Sequence, residues 1–167
     1  MTEKTVFYLG SDPKKGIPLL IKGTLDSSDY LNAGKGITKA NLVKVEIGTD
    51  VKSIGVAAFK YCTSLKSVKI PNSVTSIGVE AFRLCKRLTT LTIPDSVRII
   101  GNFAFYNCER LTTLTIPDSV TSIGNYAVAG CDALTTLTIG KSVTSIGDNA
   151  FNSCIRLNTL TIPDSVR

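Results

Sequence analysis

Residues 111–133 read LTTLTIPDSVTSIGNYAVAGCDA, and near-copies of these 23 residues precede and follow them. The dipeptide Ile-Gly recurs at Ile54, Ile77, Ile100, Ile123 and Ile146, and cysteine keeps the same beat at Cys62, Cys85, Cys108, Cys131 and Cys154. Leucine opens each unit at Leu42, Leu65, Leu88, Leu111, Leu134 and Leu157, with an isoleucine five places on at Ile47, Ile70, Ile93, Ile116, Ile139 and Ile162. Residues 42–156 are therefore five full units, and residues 157–167 are a half unit.

A period of about 20 to 29 residues opened by L-x-x-L-x-L marks a leucine-rich repeat, in which each turn of chain gives one strand to a parallel sheet. The strand is LTTLTI at residues 88–93 and its equivalents. Leu91 and Ile93 are two apart and share a face, while Thr90 and Thr92 point to the other. One coil cannot bury its Leu, Ile, Val and Phe alone; stacked coils can. Pro71, Pro94, Pro117 and Pro163 then stop the ladder, because proline fixes φ and lacks an N–H. Val74, Val97, Val120 and Val143 each precede the next isoleucine by three, which predicts a second short extended segment, followed by glycine where a tight bend would need it. In Ala81-Phe82-x-x-Cys85-x-x-Leu88 the spacings of three suit a short helical turn that presses Phe and Cys inward.

The full pattern, I-G-x-x-A-F-x-x-C-x-x-L-x-x-L-x-I-P-x-S-V, resembles the repeat of the BspA-like leucine-rich repeat family of bacterial and protist surface proteins, over residues 42–167. It departs at Val128, where the pattern has Phe, and at Gly48 and Gly140, where it has Pro. These changes are expected to weaken local packing or turn rigidity and to leave the period intact. The resemblance implies an α/β solenoid: a right-handed curved stack with a parallel β-sheet on the concave face and short helical turns on the convex face. It also implies a non-catalytic binding module for protein–protein recognition or adhesion, on the cell surface or secreted.

Residues 1–41 do not follow the period. Residues 5–9 and 18–25 read as strands joined by a polar turn at residues 11–16, and residues 27–36 as a loop or short helix. Solenoid ends expose apolar surface, so residues 1–41 read as an N-terminal cap built on a β-hairpin and loop, ahead of the solenoid at 42–167. At the other end the half unit leaves Leu160, Ile162 and a strand edge without a following coil, which predicts end-to-end self-association there. Within the repeats, the pairs after glycine (Val56-Ala57 to Asp148-Asn149) and after the Phe column (Lys60-Tyr61, Arg83-Leu84, Tyr106-Asn107, Ala129-Gly130, Asn152-Ser153) vary, and are expected on the convex side and the turns.

At 167 residues with 43% apolar content the chain is one domain with an elongated core. Its net charge of +6 is moderate and Trp is absent, so no nucleic-acid partner is expected. No apolar run is long enough for a membrane span, and none near Met1 has the character of a signal peptide. The chain is thus cytoplasmic if Met1 is the native start, against the surface location that the resemblance implies. There is no His, which removes Ser-His-Asp and Cys-His catalysis. The cysteines lack any C-x-x-C pair, and in a stack spaced about 4.8 Å their Cβ atoms stay farther apart than the roughly 3.8 Å of a disulfide. A ladder of buried thiols is expected. The glycines form no phosphate loop, and Asp95, Asp118 and Asp164 line up at equivalent turns instead of converging. No catalytic residue, cofactor or metal follows from this sequence, and no enzyme is expected.

The outward strand face is the candidate binding surface. Thr90 and Thr92, Thr113 and Thr115, Thr136 and Thr138, Thr159 and Thr161 form T-x-T rows, and Lys44 with Glu46, then Ser67 with Lys69, replace them in the first two units. Arg87, Arg110 and Arg156 share a further column, so a ligand with acidic groups is compatible. Thr is also favoured on any pleated surface. A protein ligand is the leading reading; the others are a Thr-face binder of an ordered surface such as ice and an intracellular scaffold.

Overall fold

The computed structural model describes residues 3–10 and 12–167. Every unit folds into one coil, and the coils stack as a β-solenoid with parallel sheets and little helix. The first strand of each coil lies in β4 (Leu42–Glu46), β6 (Ser67–Lys69), β8 (Thr90–Leu91), β10 (Thr113–Ile116) and β12 (Thr136–Ile139). β4 pairs β6 and β6 pairs β8, while β10 pairs β12, each in parallel and in unit register, as in Leu114 opposite Leu137. The expected second extended segment is present as β5 (Val51–Ile54), β7 (Ser76–Ile77), β9 (Ile99–Ile100), β11 (Ser122–Ile123) and β13 (Ser145–Ile146), which form a second parallel sheet. In the half unit, residues 157–162 form no strand, and Leu160 and Ile162 are exposed.

The third side of the coil is a chain of single turns and not a helix. Lys60 N donates to Ala57 O and Cys62 N to Phe59 O, as the spacing of three requires. Left-handed residues interrupt any winding: Ala57, Glu80, Phe103, Tyr126 and Asn149 in one column, and Tyr61, Leu84, Asn107, Gly130 and Ser153 in another, all have φ between 52° and 70°. A non-glycine residue there costs about 1 to 2 kcal/mol. The compensation is a third inter-coil ladder, in which Ala57 N donates to Val79 O at 2.9 Å, Phe59 N to Ala81 O at 2.7 Å and Tyr61 N to Arg83 O at 2.9 Å.

Inside, the Leu, Val, Ile, Ala, Phe and Cys columns are buried in one continuous core, with Ile146 and Phe151 of the last full unit only partly buried. Phe59, Phe82 and Phe105 stack with centroids 5.3 and 5.5 Å apart. Val128 is also fully buried where Phe is expected, and its N–H still reaches Ala150 O at 2.8 Å. Ala129, placed by the sequence among the surface columns, is buried instead. The glycines after isoleucine are not bend residues with positive φ. They admit the preceding coil: a Cβ on Gly101 would sit 2.7 Å from the carbonyl carbon of Gly78. Gly140 makes the same turn as its proline counterparts, with Val143 N donating to Gly140 O as Val120 N does to Pro117 O.

The N-terminal hairpin differs from its expected bounds. β1 (Thr5–Leu9) pairs antiparallel with β2 (Asp12–Leu19), so most of the expected polar turn is strand; Ser11 lies outside the described residues. Cross-strand pairing from Thr5 opposite Leu19 to Leu9 opposite Asp12 drives this, because it satisfies backbone groups that a long loop would leave to water. The expected strand at 18–25 is broken after Leu19, and only β3 (Gly23–Leu25) resumes it, now in the second sheet beside β5. β1 also pairs antiparallel with β4, so the first sheet runs β2-β1-β4-β6-β8. A short helix, α1 (Ser27–Leu31), follows β3, with the carboxylate of Asp29 accepting from Asp26 N at 2.7 Å.

Candidate functional site

Alternation along β10 and β12 buries Leu114, Ile116, Leu137 and Ile139 and turns Thr113, Thr115, Thr136 and Thr138 outward. Parallel pairing then sets Thr113 beside Thr136 and Thr115 beside Thr138. Thr90 lies beside Ser67, which lies beside Lys44, and Lys69 lies beside Glu46. The structure thus brings these candidates onto one face. Thr92, Thr159 and Thr161 are exposed as well, but outside any strand.

The hydroxyls differ in what they already do. Thr89 Oγ1 donates to Lys66 O and Thr135 Oγ1 to Thr112 O, and on the second sheet Thr75, Thr121 and Thr144 do the same to the preceding coil. Ser73, Ser96, Ser119 and Ser165 reach back in the same way. Among the described residues, the side chains of Ser67, Thr90, Thr113, Thr115, Thr136 and Thr138 have no such partner. Strict alternation would place Thr89, Thr112 and Thr135 with the buried leucines; they are exposed, because β8, β10 and β12 begin one residue later. The sign of this was the two-residue gap in L-x-x-L, which leaves three outward positions per unit.

At the N-terminal end the face is charged. Lys44 Nζ lies 2.7 Å from Glu46 Oε1, and Tyr8 on β1 donates its hydroxyl to Glu46 Oε2 at 3.0 Å. Lys44 Nζ also sits 4.6 Å from the Tyr8 ring centroid. The hydrogen bond from Lys44, with that from Tyr8, holds the Glu46 carboxyl below the usual range, and the bond to Glu46 raises the Tyr8 phenol. Sequence reasoning missed Tyr8, which enters the face only because β1 pairs with β4.

The cysteines lie away from this face, all buried and unpaired with one another. Each thiol from Cys85 onward donates to a carbonyl of the preceding coil, as in Cys108 Sγ to Phe82 O at 3.3 Å. Burial pushes the Cys108 thiol up to about 12. Among the described residues no group of three or more His, Cys, Asp or Glu is placed to hold a metal, and no helix is long and apolar enough to cross a membrane.

Stacked coils carrying an exposed strand face define a leucine-rich repeat protein of the β-solenoid kind. The BspA type leucine rich repeat region matches residues 37–154 in six copies, and the chain belongs to that family. A leucine-rich repeat protein of Bacteroides ovatus is 40% identical over 74% of this chain, with a TM-score of 0.70. A leucine rich cell surface protein of Faecalibacterium prausnitzii is 37% identical over 92%, with a TM-score of 0.73. The chain spans 34% and 39% of these two structures, little more than a third of their length. A leucine-rich repeat protein of Eubacterium ventriosum is 26% identical over 77% of this chain and 34% of its own, with a TM-score of 0.67. No curated protein matches the chain.

Proposed function

We propose that this chain is a non-catalytic binding module that recognises a protein through the outward face formed by the first strands of its coils, on a surface-exposed or secreted protein. The observation that carries the reading is the division of labour among the hydroxyls. Those of Thr89 and Thr135 tie coil to coil, whereas Thr90, Thr113, Thr115, Thr136 and Thr138 stand exposed without framework work to do. The description of the Faecalibacterium prausnitzii relative as a cell surface protein supports the location. Two further features favour a protein over an ordered lattice. The in-register Thr array spans only β10 and β12, and the same face turns to Ser67, Lys69, Lys44, Glu46 and Tyr8 within a few coils. Such mixed chemistry suits the polar rim and varied contacts of a protein interface.

The test is to pan a displayed random-peptide library on the chain and map the enriched binders. Thr113→Arg with Thr136→Arg on β10 and β12 should abolish their binding, while Thr121→Arg with Thr144→Arg, just before β11 and β13, should leave it unchanged. Binders that tolerate the first pair and lose affinity with the second would place the recognition surface elsewhere.

A further inference from the structure

Lys66 and Lys69 are exposed on β6 and its approach, and neither has a carboxylate within ion-pairing distance among the described residues. Arg87 and Arg110 are exposed and likewise unpaired, one unit apart at the corner where the chain turns into the next strand. The neighbouring Glu109 is taken by Lys86 at 2.7 Å. Glu46 is the single acid of β4, β6 and β8; Lys44 and the Tyr8 hydroxyl already answer it, and Lys69 acts on it at longer range. Like charges held in neighbouring coils repel one another, and nothing in the core needs them, since all four are solvent-exposed.

Two shallow recesses flank this strand pair. One, of about 290 Å³, is lined by Gly10, Val43, Lys44, Lys66 and Ser67. The other, of about 320 Å³, lies at the opposite end of the strands and sets Glu3 and Glu46 against Lys4 and Lys69, over Val6, Ile47 and Pro71. The first therefore offers two lysine ammonium groups beside Ser67, whereas in the second two carboxylates balance the two lysines. A side chain entering the first recess meets donors and positive charge beside the apolar wall of Val43.

From the unpaired charge of Lys66, Arg87 and Arg110 and the lysine-lined recess beside them we infer that the N-terminal half of the face, from Lys69 and Lys66 to Arg110, takes an extended acidic segment of a partner protein. This rests on the protein-binding reading of the same face and names its chemistry. Carboxylates of the partner meet the lysines and arginines, and its remaining polar groups meet Ser67 and Thr90. Glu46 stands between Lys44 and Lys69 and disfavours a uniformly charged polyanion, whereas a mixed peptide can set a donor against it. The Tyr8 ring is covered by Lys44 and offers no open platform for a stacked base.

The experiment measures binding of the 167-residue chain to a short peptide of alternating Asp and Ser, with the Asn-Ser peptide, heparin and single-stranded DNA as comparisons. The Asp-Ser peptide should bind at least about tenfold more tightly than its Asn counterpart at low ionic strength, and the difference should shrink as salt rises. Lys66→Glu with Lys69→Glu should remove that preference. Lys52→Glu with Arg98→Glu on the second sheet should leave it, and matching thermal melts should show that both variants fold. Equal loss with either pair would reduce the effect to overall positive charge and overturn the inference. Binding of heparin or DNA without the acidic peptide would overturn it in favour of a polyanion site. Library binders that map to Thr113 and Thr136 but show no acidic bias would remove this inference and leave the proposed function standing. Acidic peptides that bind regardless of every variant on β6, β10 and β12 would remove both.

Discussion

The ring of Tyr30 lies against that of Phe59, with centroids 5.8 Å apart and planes 12° from parallel, so a residue outside the 23-residue period supplies the first rung of the aromatic ladder. Its hydroxyl donates to Ala58 O at 2.6 Å and touches Cys62 Sγ at 3.6 Å, and Phe7 covers its other side at 5.1 Å. We propose on this basis that residues 3–41 cap the stack. Tyr30→Ala should lower unfolding stability by about 3 to 5 kcal/mol, the cost of emptying a large buried site. Tyr30→Phe keeps the ring and orphans one buried carbonyl, which should cost about 1 to 3 kcal/mol. Urea denaturation of the two variants separates the contributions; equal losses would mean that the ring does not matter.

That rung was half visible in the sequence. Leu25 and Tyr30 are five apart, as are Ile54 and Phe59, and β3 carries Leu25 into register with Ile54. The spacing was hidden because α1 replaces the usual chain of turns and no Ile-Gly accompanies it. The repeat itself was plain, since stacking demands the same residue at the same place in every coil. The left-handed columns were not, because Ala57, Glu80, Phe103 and Tyr126 carry no Gly or Asn signal. Their conformation is imposed by hydrogen bonds to the next coil, which act through the backbone and leave the side chain free to vary. Tyr8 was hidden for a similar reason: its place depends on antiparallel pairing with β4, a long-range contact without periodicity.

The glycine column gives a test of coil spacing. In Gly101→Ala the new methyl would meet Val79 N and the Gly78 carbonyl carbon, each at 2.7 Å, and both are backbone atoms that cannot swing aside. The coils must part, so a loss of about 1 to 3 kcal/mol, at the level of an overpacked core, is expected. Gly10→Ala is the control, because its nearest neighbour would be the Val43 side chain at an ordinary 3.5 Å. A Gly101→Ala midpoint equal to that of the control would show that the stack has slack.

The thiols should differ in reactivity despite their shared column. Cys62, Cys85, Cys108 and Cys131 are fully buried, while Cys154 is 8% exposed under the last coil. Burial also pushes Cys62 up to about 11, so little thiolate exists near neutral pH. A maleimide reagent should therefore label Cys154 first, and the other four together only on unfolding. Mass spectrometry of partly labelled, native protein checks the order; early modification of Cys108 would contradict the stacked core.

Acid should loosen the turn side through Glu80. Its carboxylate accepts from Lys60 Nζ at 2.7 Å and from Arg83, whose guanidinium in turn lies 5.7 and 5.3 Å from the Phe103 and Tyr106 ring centroids. The hydrogen bonds from Lys60 and Arg83 hold the Glu80 carboxyl below its ordinary value. The unfolded chain then takes up this proton more readily than the folded one. The stabilisation is complete above the unfolded carboxylate value, about pH 4.3, and is lost as pH falls through the lower folded value. Glu80→Gln should cost about 1 kcal/mol near neutral pH, given a part-buried three-member network. Its midpoint should fall less steeply than that of the unsubstituted chain below about pH 4. Denaturant titrations at a series of pH values read both effects; acid limbs of equal slope would show that the network contributes nothing to folding.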